Sequence, residues 1–227
     1  MDISLYYTEN GFGELLVLLH GNGESGEYFK NQIDFFSKKY RVIAVDTRGH
    51  GKSERGTAPF TIAQFADDLK CFFDEKGIDK AIVLGFSDGA NIAMRFVLKY
   101  PERVEKLILN GGNLYPKGVR PSAQIPIEIG YRIAKPFKDK DAKAKRNFEL
   151  LSLMVNDPFI KEIELEKINC PTLVIAGTHD MIKDSHTKLI ARCIKGSKTV
   201  ILDGTHFIAK ESSEEFNRAV EQFLENS

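Results

Sequence analysis

The 227-residue sequence has no tryptophan and only three cysteines, which are Cys71, Cys170 and Cys193. An odd number of widely spaced cysteines without a C-x-x-C pair argues against a disulfide framework or a zinc site. The sequence also has no apolar run near the ~20 residues that a bilayer-spanning helix needs, and its N-terminus has no secretory signal pattern. We therefore expect a soluble cytoplasmic protein whose cysteines are packing residues.

Neither sign of charge predominates, because 32 basic and 32 acidic residues cancel. Without a global field, we expect neither nucleic acid nor a membrane as a partner, and a small-molecule ligand is favoured. Hydrophobic residues make up 42% of the chain, which is enough for one substantial core at this length. The sequence contains no internal repeat and no low-complexity segment.

Short apolar runs alternate with helical patterns along most of the chain. Unbroken apolar runs are typical of strands that are covered on both faces, as in a parallel sheet. The pattern predicts an α/β fold with a doubly wound, mainly parallel sheet, whose ligand site lies at the C-terminal ends of the strands. The predicted strands cover residues 4–8, 15–19, 40–45, 81–84, 104–109, 172–176 and 198–202.

The alternation stops between residues 113 and 169. Four prolines are expected to break the first half of this segment, and residues 138–155 have a helical pattern. A structureless loop of that length is uncommon in a compact domain, so we predict a mostly helical lid. The predicted core is therefore 1–112 together with 170–227, and the predicted lid is 113–169. The prolines are Pro116, Pro121, Pro126 and Pro136.

Residues 85–89 read Gly-Phe-Ser-Asp-Gly and fit the pattern G-x-S-x-G. In that pattern a serine occupies a strained turn between a buried strand and a helix, and the flanking glycines avoid collisions. An apolar strand precedes this stretch and a helical pattern follows it, as the motif requires. We predict that Ser87 stands at the C-terminal end of its strand, beside a helix N-terminus that favours developing negative charge.

Three further polar residues, Asn22, Asp180 and His206, follow predicted core strands and so fall on the same edge of the sheet as Ser87. Serine is a weak nucleophile near neutral pH and needs a base such as histidine. A buried carboxylate then holds the imidazole in the required tautomer. The chain supplies these groups in the order Ser87, Asp180, His206, which predicts nucleophilic catalysis by serine.

Other histidines and carboxylates compete for the roles of base and acid. Asp184 begins a predicted helix and is expected to cap it, whereas Asp203 precedes the loop that must carry the base, so Asp180 is preferred. His206 is likewise preferred as the base. The other histidines are His20, expected to shape the loop after its strand, His50, expected in a structural loop, and His179 and His186, expected on the surface.

With these motifs the sequence resembles the α/β-hydrolase fold family, in particular its small bacterial serine hydrolases and esterases with a lid after strand six. The resemblance covers essentially the whole chain. Residues 20–23 look like the family's HGxG oxyanion loop, 46–53 like its D-x-R-G-x-G-x-S loop, and 85–89 like its nucleophile elbow. Asp180 and His206 match the acid after strand seven and the base after strand eight. The resemblance implies oxyanion donors at the backbone amides of Asn22 and Asp88, and it implies no metal or organic cofactor.

We expect hydrolysis of a carboxylic ester or a related small acyl substrate, such as a lactone, a thioester or a carbon-carbon bond beside a ketone. Ser87 stands where a haloalkane dehalogenase or an epoxide hydrolase would have aspartate, which argues against both activities. The alternative is a ligand receptor or signalling protein that retains the triad with little turnover. The acyl chain length and the oligomeric state stay open.

Seven basic residues gather in one short stretch of the predicted lid, opposed there only by Asp139 and Asp141. Most such runs are the solvated face of a helix. Arg132 and Lys135, however, lie among apolar residues, and the hypothesis is that one of them reaches over the pocket and favours a substrate with a carboxylate. Phe86 and Phe207 are also predicted to contact the substrate. The seven are Arg132, Lys135, Lys138, Lys140, Lys143, Lys145 and Arg146.

Overall fold

A seven-stranded sheet runs through the computed structural model, which describes residues 2–227. The order across the sheet is β1-β3-β2-β4-β5-β6-β7. The first strand is antiparallel to β3, and every other neighbouring pair is parallel. The predicted mainly parallel sheet is therefore confirmed. The strands are β1 (Tyr7–Asn10), β2 (Glu14–Leu19), β3 (Tyr40–Val45), β4 (Ala81–Phe86), β5 (Val104–Asn110), β6 (Thr172–His179) and β7 (Lys198–Thr205).

Helices cover both faces of the sheet, so its central strands are buried on both sides, as their unbroken apolar sequences predict. One core cluster packs α2 (Ile62–Glu75), α3 (Asp88–Lys99) and α7 (Asp184–Cys193) against the sheet. The other packs α1 (Lys30–Phe36), α8 (Ile208–Glu211) and α9 (Ser213–Glu225) on the opposite face. This arrangement is the doubly wound architecture.

Two neighbouring strands bring their following loops to the same level. Leu19 at the end of β2 pairs with Gly85 of β4. Because the strands are parallel, the loops that begin at residues 20 and 87 leave the same edge of the sheet side by side. The fold therefore places the predicted oxyanion loop next to the predicted nucleophile.

The segment between β5 and β6 contains the two longest helices outside the core, α4 (Pro121–Ala134) and α5 (Ala142–Asn156), followed by the short α6 (Glu162–Leu165). The resemblance predicts that the insertion follows strand six. In the structure the insertion follows β5, because the sheet has seven strands, one fewer than the eight that the resemblance implies. The lid boundaries 113–169 stay a prediction.

The proline-rich first half of this segment is helical, which corrects the expectation that its prolines break it. Pro121 is the first residue of α4, where no intrahelical N–H bond is needed. Pro126 lies inside the helix but on its exposed face, where water can bond the carbonyl that the proline leaves free. In α5 the Asp141 side chain accepts from the Ala144 amide at 2.8 Å, so this helix begins four residues later than predicted.

Side-chain caps are present at some helix starts and absent at others. The Thr61 hydroxyl accepts from the Gln64 amide at 3.2 Å at the start of α2. The Ser212 hydroxyl before α9 donates to the carbonyl of Asp203 and makes no cap. Among residues 2–227, no helix has the length and apolar character needed to cross a bilayer.

Candidate active site

Ser87 sits in a strained backbone conformation between β4 and α3. Its φ of 54° makes it the one non-glycine residue with positive φ in the part of the chain that the structure describes. A side chain at Gly85 would overlap the backbone of Gly89, and one at Gly89 would overlap the carbonyl of Leu19. Both glycines are therefore required for the tight strand-to-helix turn that the sequence motif predicts.

Ser87, His206 and Asp180 form a continuous hydrogen-bonded chain. The Ser87 Oγ lies 3.0 Å from His206 Nε2, and His206 Nδ1 lies 2.7 Å from Asp180 Oδ1. The Ile182 amide also donates to Asp180 Oδ1, at 2.8 Å, which fixes the carboxylate. Asp180 is 1% exposed and His206 5%, so the aspartate is held in a poorly hydrated site where its bond to Nδ1–H is strong.

The competing carboxylates make other contacts. Asp203 Oδ1 accepts from the Thr178 hydroxyl at 2.9 Å, and Asp184 forms an ion pair with Arg120 at 2.6 Å. Asp184 lies in the first turn of α7 but provides no side-chain cap, because Lys183 occupies the capping position. Neither carboxylate bonds to His206, so only Asp180 is placed for the predicted acid role.

Two of the other histidines support loops. The Thr47 amide donates to His20 Nε2 at 3.1 Å, and His20 Nδ1 donates to the Gly21 carbonyl at 2.7 Å, which braces the loop after β2. Burial lowers the pKa of His20, and it lowers that of His50 to about 3, so both rings stay neutral near pH 7.

The expectation that His186 lies on the surface is wrong. Its side chain is 4% exposed, and its Nε2 accepts from the Leu114 amide at 2.9 Å. The ring lies at the start of the insertion, where a Cβ at Gly118 would collide with it. His186 therefore holds the first turn of the insertion against α7. His179 is exposed, as expected.

A pocket of about 210 Å³ opens over Ser87. The core contributes the predicted residues Asn22, Phe86, Ser87, Asp88, His206 and Phe207 to its wall. The Phe86 ring centroid lies 4.9 Å from that of His206 and 5.7 Å from that of Phe207, so the two phenylalanines form an aromatic wall beside the histidine. The insertion contributes the opposite wall, which includes Gln124, Ile127, Met154 and Asp157.

Three acidic side chains line this pocket, and the sequence pattern does not predict them as a group. Burial raises the pKa of Asp88 to about 6 and that of Asp157 to about 6, and it also raises the pKa of Glu24. Asp88 Oδ1 accepts from the Asn91 side chain at 3.1 Å, but its buried Oδ2 has no partner, and neither has Glu24 Oε2. These carboxyl oxygens are therefore buried without a hydrogen-bond partner among the described residues.

Asn91 is fully buried, although the helical pattern predicts it on the solvated face of α3. Its side chain joins Asp88 to Asn113, donating to an oxygen of each at 3.1 Å and accepting from the Asn113 amide at 2.9 Å. This network fixes the Asp88 carboxyl against Asn91 and Asn113. The position of Asp88 directly after Ser87 indicates that it lies near the site. No motif in the sequence indicates that Asp157 lies there.

Arg132 and Lys135 do not reach the pocket, which corrects the hypothesis built on them. Both side chains are exposed on α4 and its C-terminal extension, and neither is among the lining residues. None of the described lining residues is a lysine or an arginine. Helical spacing explains the outcome for Arg132, which lies off the face that carries Ile127 and Tyr131. Lys135 follows the last residue of α4 and begins a short 3-10 turn.

The side chains of residues 2–227 contain no group of three or more histidines, cysteines, aspartates or glutamates arranged to hold a metal ion. The three cysteines are free and half-buried. The site is thus described by a nucleophile, an imidazole and carboxylates at the C-terminal edge of a parallel sheet.

A sequence profile of the alpha/beta hydrolase fold matches residues 14–149, which is more than half of the chain. The protein therefore belongs to the α/β-hydrolase fold family, and it is a hydrolase, as its relatives are.

Among its relatives is the human protein named serine hydrolase BPHL, which is 28% identical over 98% of this chain and 84% of the relative. A Pseudomonas putida 2-hydroxy-6-oxononadienedioate/2-hydroxy-6-oxononatrienedioate hydrolase is also 28% identical, over 100% of this chain and 93% of the relative. Among solved structures, Est816, described as an N-acyl homoserine lactone degrading enzyme, superposes with a TM-score of 0.81 at 26% identity. That comparison covers 97% of each chain.

Proposed function

We propose that this hydrolase cleaves a carboxylic ester or a related small acyl substrate through a Ser-His-Asp triad and an acyl-enzyme intermediate. The observation that carries the proposal is the unbroken chain from Ser87 Oγ through His206 to Asp180, with Ser87 at the floor of a pocket. These are the distances at which a base can take a proton from a nucleophile and be oriented in turn by a carboxylate.

The proposed reaction has two halves. His206 Nε2 takes the proton of Ser87 as its oxygen attacks the acyl carbon, and the resulting imidazolium returns that proton to the leaving group. Water then enters, loses a proton to His206 and attacks the acyl-enzyme, which releases the acid and restores Ser87. Asp180 keeps Nδ1 protonated throughout and stabilises the imidazolium.

The proposed oxyanion donors are the backbone amides of Asn22 and Asp88. Both residues line the pocket beside Ser87, and Asp88 begins α3, where the helix N-terminus favours negative charge. Preorganised amides of this kind stabilise the tetrahedral oxyanion, and losing one donor typically costs about 10²–10³-fold in kcat.

The names of the relatives support a hydrolytic reaction on a small organic molecule without selecting one bond type. They include a serine hydrolase, a hydrolase of a 2-hydroxy-6-oxo dicarboxylate and an N-acyl homoserine lactone degrading enzyme. We propose an acyl substrate in the wider sense, which includes esters, lactones, thioesters and carbon-carbon bonds beside a ketone.

The charge of the pocket supports a neutral or cationic substrate rather than an anionic one. Three carboxyls line it, and a substrate carboxylate near Asp88 would face like charge in a poorly hydrated site. Gln124 is 7% exposed, and its Oε1 is a further acceptor without a partner. An ammonium group on the substrate would be attracted by the ionised carboxyls that line the pocket.

This proposal is tested with matched chromogenic esters. The esters differ only in a terminal methyl, ammonium or carboxylate group, and each is used at several chain lengths. At pH 7.5 we expect kcat/KM to be at least about 10-fold higher for the ammonium ester than for the carboxylate ester, and the preference to shrink in Asp88→Asn. A preference for the carboxylate at every chain length would contradict the proposed substrate charge and leave the triad untouched.

Stopped-flow kinetics separate an enzyme from a receptor that keeps the triad without turnover. We expect a burst followed by steady release of the chromophore, whereas stoichiometric release without turnover would indicate a receptor. Ser87→Ala should abolish labelling by a fluorophosphonate and lower kcat by about 10⁶-fold with little change in melting temperature. Labelling that persists in Ser87→Ala would place the nucleophile elsewhere.

A further inference from the structure

The Asn22 side chain joins the loop after β2, residues 20–25, to the lid. We call these residues the oxyanion loop. Asn22 Nδ2 donates to the carbonyl of Leu150 in α5 at 2.8 Å, and the two residues are 128 positions apart in the chain. The residue whose amide is proposed to bind the oxyanion therefore bonds directly to the helix that closes the pocket.

The oxyanion loop is braced firmly on its core side. His20 is fixed between the Thr47 amide and the Gly21 carbonyl, and a Cβ at Gly21 would press on Phe86 and Ser87 at 3.0–3.2 Å. Beyond Gly21 the Glu24 amide donates to the Gly21 carbonyl at 3.3 Å and the Gly26 amide donates to Asp46 Oδ1 at 2.7 Å, while a Cβ added at Gly23 would meet no atom within 4 Å. The bond from the Asn22 side chain to Leu150 adds a restraint on residue 22 from outside the core.

Helix α5 reaches the core through two adjacent residues. Glu149 accepts from Arg55 in a two-bond ion pair at 2.9 and 2.8 Å, and Leu150 accepts from Asn22. Arg55 belongs to the loop after β3, and Asn22 to the loop after β2. The next turn of α5 carries Met154, which lines the pocket. One helix therefore forms part of the pocket wall and holds the oxyanion loop.

We propose that Asn22 is a positioning residue whose side chain, held by α5, fixes its own backbone amide at the oxyanion position. The bond between the Asn22 side chain and the Leu150 carbonyl then completes the oxyanion hole. This inference rests on the proposed function, because it assumes that a tetrahedral oxyanion forms at Ser87. It assigns to the Asn22 side chain a role beyond that of its amide.

The test uses Asn22→Ala, which removes the side-chain donor, and Asn22→Leu, which keeps a side chain of similar size without a donor. Both retain the backbone amide. We expect kcat for a short-chain ester to fall about 10-fold while KM stays within about 2-fold. A misplaced amide stabilises the oxyanion less well, and the oxyanion develops only in the transition state, so substrate binding is unaffected. The Ki of a trifluoromethyl ketone, which forms an oxyanion on the serine, should rise by the same factor.

Glu149→Gln is the matched control, because it weakens the neighbouring attachment of α5 without touching the oxyanion loop. We expect it to change kcat and the ketone Ki by less than about 2-fold. Unchanged kcat and Ki in both Asn22 variants would overturn the inference. So would a rise in KM alone, or an equal loss in Glu149→Gln, since these would make Asn22 a pocket wall or one lid contact among several.

Failure of the inference and failure of the proposed function give different results. If Ser87→Ala keeps its activity, the proposed function fails and the oxyanion argument fails with it. If Ser87→Ala is inactive but both Asn22 variants match the parent protein, only the positioning role of Asn22 is lost.

Discussion

Helices α2 and α4 have the same length but are packed differently. Each has 14 residues, of which α2 buries seven and α4 buries only Gln124. Helix α2 is fixed by an apolar face on the sheet, whereas α4, in the insertion between β5 and β6, contacts mainly α5, with the rings of Tyr131 and Phe148 stacked 5.2 Å apart. The proposed nucleophile and base therefore lie on the well-packed region, whereas part of the pocket wall lies on the more exposed one.

The outer face of α4 shows the same contrast. Its exposed side is apolar, and four large side chains on α4 and on the turn that follows it are each more than half exposed. A core helix with this pattern would bury it, so the lid retains apolar surface that its own packing does not cover. These residues are Ile125, Ile129, Ile133 and Phe137.

The largest expected effect lies in the core. Asp180→Asn should keep the fold but lower kcat by about 10⁴-fold, because an amide favours the wrong imidazole tautomer. Steady-state kinetics with a chromogenic ester, together with the melting temperature, provide the measurement. Asp203→Asn is the matched control and should change kcat little, since its carboxylate bonds to Thr178. A larger loss in Asp203→Asn would show that the acid is assigned to the wrong residue.

The second effect concerns stability at the boundary of the two regions. Burial raises the pKa of Asp88 to about 6, from 3.8, so the folded state binds its proton more tightly than the unfolded chain does. The ionised carboxyl therefore destabilises the fold above about pH 6, and this cost is absent below about pH 4. We expect Asp88→Asn to raise the free energy of unfolding at pH 8 by about 2 kcal/mol, because a shift of two units corresponds to about 3 kcal/mol before relaxation.

Urea unfolding at pH 8 and at pH 4 measures this effect, and the gain should vanish at the lower pH. The asparagine retains an acceptor for the Asn91 side chain, so the buried network is kept. Asp157→Asn, at a half-buried lid position, should give a smaller gain. A gain of equal size at both pH values would mean that the Asp88 charge is not its cause.

A smaller effect is expected in the pH dependence of selectivity. The ratio of kcat/KM between the ammonium ester and the neutral ester should rise about 10-fold from pH 5 to pH 8, with a midpoint near 6. Asp88 and Asp157 ionise in this range and then attract the ammonium group, whereas ionisations shared by both reactions cancel in the ratio. A ratio that stays flat in the parent protein would remove both carboxyls from substrate binding.

The smallest effect is expected on the lid surface. Arg132→Ala and Lys135→Ala, singly or together, should change kcat/KM for neutral, cationic and anionic esters by less than about 2-fold, because both side chains are exposed and outside the pocket. A loss of more than about 10-fold that is confined to the anionic ester would show that the lid brings one of them inward when substrate binds.

The core could be predicted from the sequence because its signals are local and repeated. Apolar runs identify six of the seven strands to within a few residues, and the glycines around Ser87 identify the elbow. The residues brought together at the sheet edge, Asn22, Asp180 and His206, follow from parallel topology alone, since each comes directly after a strand. The edge strand β1 begins three residues later than predicted, because an edge strand has no unbroken apolar pattern.

The lid could not be predicted to the same depth because its signals are ambiguous. Proline usually breaks a helix, but Pro121 and Pro126 occupy the first position and an exposed position of α4, where the cost is small. The run of basic residues suggests that the pocket wall binds anions, but the charged residues that line the pocket are acidic. Asp157 and Glu24 line the same pocket but lie far apart in the sequence, so no sequence spacing connects them.

The contact between Gly89 and the Leu19 carbonyl has a consequence for divergence within the family. The first turn of α3 rests directly on the end of β2, with no side chain between the two backbones. The spacing between the Ser87 backbone and the start of the oxyanion loop is therefore set by main-chain contact. Substitutions in the pocket wall can change the shape of the pocket without altering this contact.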